Sequence, residues 1–182
     1  MSPDPITPVH EDGRGRVFTA DSMTYFNERA GSGDIVICGS YAARPTLAWA
    51  LRLGVRGAIA HAAGVGKDEA GISGLPLADE HGVPAAACET MSARLADGAS
   101  VHAGTVGHVN ETAKKHGVEV GQSVAEAARL MLGAPPGKKA VIKEASDNRI
   151  YELEETPGGN IRASSPLVPA TGRPNTRLRS SR

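Results

Sequence analysis

The chain has 182 residues, with 20 Lys+Arg against 20 Asp+Glu, so its formal net charge is zero. That balance excludes a nucleic-acid binder working by bulk electrostatics, which needs clustered positive charge. With 22 glycines and 3% aromatics, few large side chains remain to build a core, so a homo-oligomer, a ring or dimer, is expected.

No stretch approaches the roughly 18 apolar residues of a membrane span, so no membrane partner is expected. The start of the chain is polar and proline-rich, without a basic region followed by an apolar run. No signal peptide is therefore expected, and the cytoplasm is the expected compartment. Two cysteines, Cys38 and Cys88, do not make a disulfide framework.

In chain order, residues 1–15 read as a flexible arm. Arg16–Ala20 reads as a short strand, and Asp21 or Ser22 as an N-cap for a helix over Met23–Arg29. Ile35–Cys38 is a continuous apolar run of strand type. Pro45 then suits the first turn of a helix that stops at Gly54. Arg56–Ala60 reads as a second such strand and Val83–Cys88 as a third, with a partly helical stretch over 68–82 between them. Strand, helix, strand, helix, strand in this order makes a pair of βαβ units on a parallel or mixed sheet.

Beyond it, 104–109 reads as another strand and 110–116 as a short helix that Asn110 can cap. Ser123-Val-Ala-Glu126 is a capping-box pattern opening a helix over 124–132. Residues 139–145 and 149–154 alternate as a β-hairpin would, and from Thr156 the apolar periodicity is lost. The expected organisation is an arm over 1–15, a single α/β domain over 16–155 and a disordered, arginine-containing tail over 156–182.

In open parallel sheets, ligands lie beyond the carboxyl ends of the strands. Three loops are expected there: 39–44, 61–68 and 89–94. They bring Ser40, Tyr41, Arg44, His61, Lys67 and Asp68 to one rim, together with Glu89, Thr90, Ser92 and Arg94. Gly64-Val-Gly-Lys-Asp68 invites comparison with a phosphate-binding loop, but His61 stands where glycine belongs and Asp68 where Ser or Thr holds magnesium. Lys67 remains able to hold a small anionic metabolite as a point charge, and Asp68 to carry hydrated Mg²⁺ or Mn²⁺. Asp68 also reads simply as a helix cap.

His61 and His108 both follow strand-like runs and read as general bases or as hydrogen-bonded core histidines. Ser40, Arg44, Gly64, Gly66 and Arg94 are the expected ligand contacts. Arg94 and Asp97 read as an ion pair at the rim or a ligand clamp. The cysteines end strands, where free thiols more often act as small buried hydrophobes than as nucleophiles.

Gly33-Asp-Ile-Val-Ile-Cys38, Ala63-Gly-Val-Gly-Lys-Asp68 and Glu80-His-Gly-Val-Pro-Ala85 resemble motifs of the RraA-like family, over about residues 33–97. Its enzymatic members include 4-hydroxy-4-methyl-2-oxoglutarate aldolases. The resemblance implies a swivelling β/β/α fold, with Lys67 in the place of the arginine that holds the oxo-acid and Asp68 in that of the metal-serving aspartate. Ala63 stands where the motif has its first aspartate. Similar swivelling domains also occur as non-catalytic parts of enzymes. Two functions follow as expectations. One is a metal-assisted lyase acting on a small oxo- or hydroxy-acid. The other is a non-catalytic ligand-binding or assembly subunit of a larger enzyme.

Overall fold

The structure, a computed structural model, describes residues 4–142, 149–156 and 159–165. It divides into two units, 1–142 and 143–182.

In the first unit, β1 (Ile6–Asp12) and β2 (Gly15–Ala20) form an antiparallel hairpin. It turns at Gly13-Arg14, where the Asp12 carboxylate accepts the Arg14 N–H at 2.8 Å. The flexible arm expected over 1–15 is thereby corrected. Residues 6–12 are a sheet strand, and Asp4 is ion-paired with Arg29. An edge strand carries little apolar signal, and Ile6 is the one fully buried residue here. Pro8 and a bulge between Pro8 and His10 blunt its outer edge.

The expected apolar runs lie in β3 (Asp34–Tyr41), β4 (Gly57–His61) and β5 (Ala85–Cys88). They follow β2 in parallel register, with Val17 beside Ile35, Ile37 beside Ile59, and Ile59 beside Ala86. Every residue of β4 and β5 is buried, as in a sheet covered on both faces. β6 (Val106–Val109) pairs antiparallel with β5. Its outer side is occupied through hydrogen bonds of Val106 with Gly121 and Gln122. The architecture is α/β: a six-stranded mixed sheet in the order β1-β2-β3-β4-β5-β6, with five α-helices among the described residues.

Consecutive parallel strands that are also neighbours, joined by right-handed crossovers, put every connection on one face. That face carries two 3₁₀ turns (Met23–Tyr25 and Asn27–Arg29), α1 (Arg44–Leu53), and a 3₁₀ turn (Ala70–Ile72) leading into α2 (Gly74–Glu80). The opposite face is covered by α3 (Gly98–His102), which packs on β2 and β3. α4 (Glu111–Lys115) packs beside β5, and α5 (Val124–Met131) on β4. Alternate strand residues Val17, Ile35, Ile37 and Ile59 meet Val124, Ala127 and Met131 in one core.

The local stop and start signals behave as their chemistry dictates. Pro45 lies in the first turn of α1, and Gly54 ends it at φ 76°, donating to the Ala50 and Leu51 carbonyls. Ser123 Oγ accepts the Glu126 N–H at 3.2 Å, capping α5. Asn110 caps α4 and is buried: its Oδ1 accepts from Ala113 and Ala85, while its Nδ2 donates to Val83.

In the second unit, β7 (Arg149–Thr156) pairs antiparallel with β8 (Gly159–Ser165). The expected partner of 149–154 is thereby corrected: residues 139–142 form no strand, and 143–148 lie outside the described residues. The tail expected from 156 begins instead with β8, and its remainder, 166–182, lies outside the described residues.

Candidate functional site

Ligand crevices in open α/β sheets open where the strand order reverses. The run β2-β3-β4-β5 has no reversal. The segment after β5 instead folds back across the carboxyl ends of its neighbours. It touches β4 through His61, β3 through Gly39, and the end of β2 through Ala20 and, just past it, Asp21. We call residues 89–98 the strap.

Two glycines let the strap lie this close. A Cβ on Gly39 would overlap the backbone of Ala96 and Asp97, and one on Gly98 would overlap Ala20. Ala96 itself is held at φ 58°, and its N–H donates to the Gly39 carbonyl at 2.9 Å. Gly98 N–H donates to Asp21 Oδ1 at 3.0 Å. Asp97 caps α3 by accepting the Ser100 N–H at 2.8 Å. That bond first, and then Arg94, holds its carboxyl below the usual range.

His61 is the strap's anchor. The Ala63 N–H donates to Nδ1 at 2.9 Å, which leaves the ring proton on Nε2, and Nε2 donates to the Ala93 carbonyl at 3.0 Å. Both nitrogens of this buried ring are committed. A general base needs a free nitrogen facing substrate, so the geometry supports the core-histidine reading of His61.

The other rim residues separate. Ser40 Oγ accepts the Met23 N–H at 3.1 Å, joining β3 to the first 3₁₀ turn. Arg44 opens α1, its backbone N–H donating to Ser73 Oγ at 3.1 Å while its side chain is exposed. Gly64 and Gly66 take positive φ angles, and the Gly71 N–H closes the loop onto the Gly64 carbonyl at 2.9 Å. Lys67 is exposed and forms no ion pair among the described residues. Arg94 is bound to Asp97 at 2.8 Å. Both cysteines are buried free thiols. Burial pushes Cys38 up to about 12, and burial likewise raises Cys88. Neither thiol is poised as a nucleophile.

Two of the candidates do meet. Asp68 and His108, far apart in sequence, line one cleft of about 470 Å³. One wall is the segment from Asp68 and Glu69 through Ile72 and Ser73 to Leu75 and Pro76. The facing wall is β6 with Gly107, His108 and Val109, and Lys114 and Val120 complete it. Asp79 of α2 fixes the walls together. Its carboxylate accepts the N–H groups of Glu111 and Thr112 and the Thr112 hydroxyl, at 3.0, 2.8 and 2.7 Å, at the start of α4. Burial acts to raise the Asp79 carboxyl, and the Thr112 and Glu111 bonds outweigh it, so its pKa is lowered.

Sequence reading overlooked Glu69, Lys114 and Asp79. The contacts of Asp79 are 32 and 33 residues away, with no local pattern to announce them. A second cleft, of about 570 Å³, lies between the β1–β2 hairpin and residues 28–34. There Arg14 is bound to Asp12 and Arg16 to Asp34, at 2.6 and 2.9 Å. Its cations are satisfied internally.

Among the described residues, no three His, Cys, Asp or Glu side chains surround a common point that would suit a metal. The expected Mg²⁺ or Mn²⁺ would rest on Asp68 with Glu69 beside it, a donor set short of a protein-built cage. No protein-family model, curated protein or solved structure matches the chain.

Proposed function

We propose that the chain is a small-molecule-binding protein, non-catalytic at its strand-end rim, whose site is the cleft between the 68–76 segment and β6. The observation that carries this reading is the convergence of Asp68 and His108 on one cleft, while the strap covers the rim. A volume of about 470 Å³ falls within the range of small-ligand sites. The walls are apolar at Ile72, Leu75 and Val109, with a few polar groups at the lip, the usual composition of such sites.

The metal-assisted lyase reading would place an oxo-acid carboxylate under Lys67 or Arg94 and an ion on Asp68. Arg94 already holds Asp97, and Lys67 is not among the residues lining the cleft. A binding role also accords with the resemblance to swivelling domains, which serve elsewhere as non-catalytic parts. The partner in that case is a larger enzyme to which this chain delivers or presents a ligand.

The test is a fragment screen on the isotopically labelled full chain, read by amide chemical shifts. Shifts confined to residues 68–76 and 107–114 support the cleft. Shifts confined to the strap would move the site to the rim and overturn this reading.

A further inference from the structure

We propose that the cleft takes an organic cation, an ammonium group carried on a small apolar body. This rests on the cleft being the ligand site and names the chemistry it selects.

The charge at the cleft is one-sided. Asp68 and Glu69 stand exposed at its lip, and neither forms an ion pair among the described residues. The one cation lining it, Lys114, is neutralised by Glu111 at 2.6 Å. A carboxylate ligand would therefore enter against two negative charges, with no unpaired cation among the residues that line the cleft. An ammonium group meets two acceptors instead, in a concave site whose low-dielectric walls strengthen the attraction.

The walls set the rest of the ligand. Ile72 and Leu75 are nearly buried and Val109 is half-buried, whereas Val120 is 61% exposed at the cleft. An apolar body bridging these side chains covers Val120 and removes its surface from water. The Ser73 hydroxyl has no hydrogen left to donate to a ligand, since it donates to the Ala70 carbonyl at 2.8 Å while also accepting the Arg44 N–H. The polar recognition falls to the two carboxylates and to His108.

Three probes of one shape separate charge from shape: benzylamine, benzyl alcohol and benzoate. Each is titrated into the full chain at low salt and followed by amide shifts. The expected result is shifts at 68–76 and 107–114, with benzylamine binding about fivefold tighter than benzyl alcohol, a factor set by partly exposed ion pairing. Benzoate should bind more weakly than the alcohol. Asp68→Asn with Glu69→Gln should bring benzylamine down to the level of the alcohol, with an unchanged melting temperature confirming the fold. Benzoate binding in the cleft as well as or better than benzylamine would overturn the charge selection and leave the cleft itself standing. Failure of all three probes to move any cleft resonance would overturn the cleft reading and this inference with it.

Discussion

The ring of His61 reaches across 32 residues of chain to donate to the Ala93 carbonyl at 3.0 Å, while its other nitrogen accepts from Ala63. One side chain thus closes the end of β4 and holds the strap over it. Replacing it by alanine orphans a buried N–H and a carbonyl and leaves a cavity. His61→Ala should cost about 2–4 kcal/mol in urea unfolding. The Ala96 amide, bonded to Gly39 across the strap, should lose hydrogen-exchange protection first. Wild-type stability with full protection at Ala96 would show that the strap is held by something else.

Gly39 and Gly98 test the same closure from the backbone side. Each methyl would overlap main-chain atoms that have no room to retreat. Gly39→Ala and Gly98→Ala should each destabilise by about 2–4 kcal/mol, as overpacking against a rigid neighbour does. Gly31, where a Cβ meets nothing within 4 Å, is the control. Gly31→Ala should stay within about 0.5 kcal/mol of wild type in the same denaturation series.

Asp79 gives the fold an acid-sensitive joint between α2 and α4. Its folded pKa lies below the ordinary value of 3.8. The carboxylate therefore contributes stability that is present above the unfolded pKa and lost as pH falls through the folded one. Stability should drop below about pH 4 in wild type, and Asp79→Asn should show a shallower acid limb and a lower plateau near neutrality. Urea midpoints measured from pH 7 to pH 2.5 give both curves. Parallel curves would mean that the carboxylate charge contributes nothing at this joint.

Arg56 is nearly buried and has no carboxylate partner among the described residues. Its Nη1 donates to the carbonyls of Arg14 and Leu132, both at 2.7 Å, and Leu132 closes the carboxyl end of α5. A cation there also faces the negative end of the helix dipole. Arg56→Met fills much of the volume but removes both donors. It should cost about 2–3 kcal/mol, read by chemical denaturation. A neutral outcome would show that the two carbonyls find water in place of the guanidinium.

Lys67 and Asp68 separate binding from metal-assisted chemistry. Both are exposed, so Lys67→Ala and Asp68→Asn should each leave the unfolding free energy within about 0.5 kcal/mol of wild type. Mg²⁺ and Mn²⁺ at millimolar concentration should leave the melting temperature unmoved, because an ion binding only the native state would raise it. A rise of several degrees that Asp68→Asn abolishes would favour the lyase reading over the one argued above.

The parallel core was legible because its evidence is local. Ile35–Cys38, Gly57–Ala60 and Ala85–Cys88 are continuous runs of apolar or small residues, and strands buried on both faces need nothing more. Pro45, Gly54, Asn110 and Ser123 mark helix ends within one turn of themselves, so their roles followed from spacing alone. The strap, the bond of His61 to Ala93, the Asp79 link and the meeting of Asp68 with His108 join residues about 30 or more apart. Such contacts depend on how the crossovers stack, and no periodicity records that. β1 and the pairing of β7 with β8 were missed for a related reason. An edge strand such as β1 buries little, so its pairing is chosen by the neighbouring backbone and not by an apolar pattern of its own, and strand alternation alone likewise does not name the partner of β7.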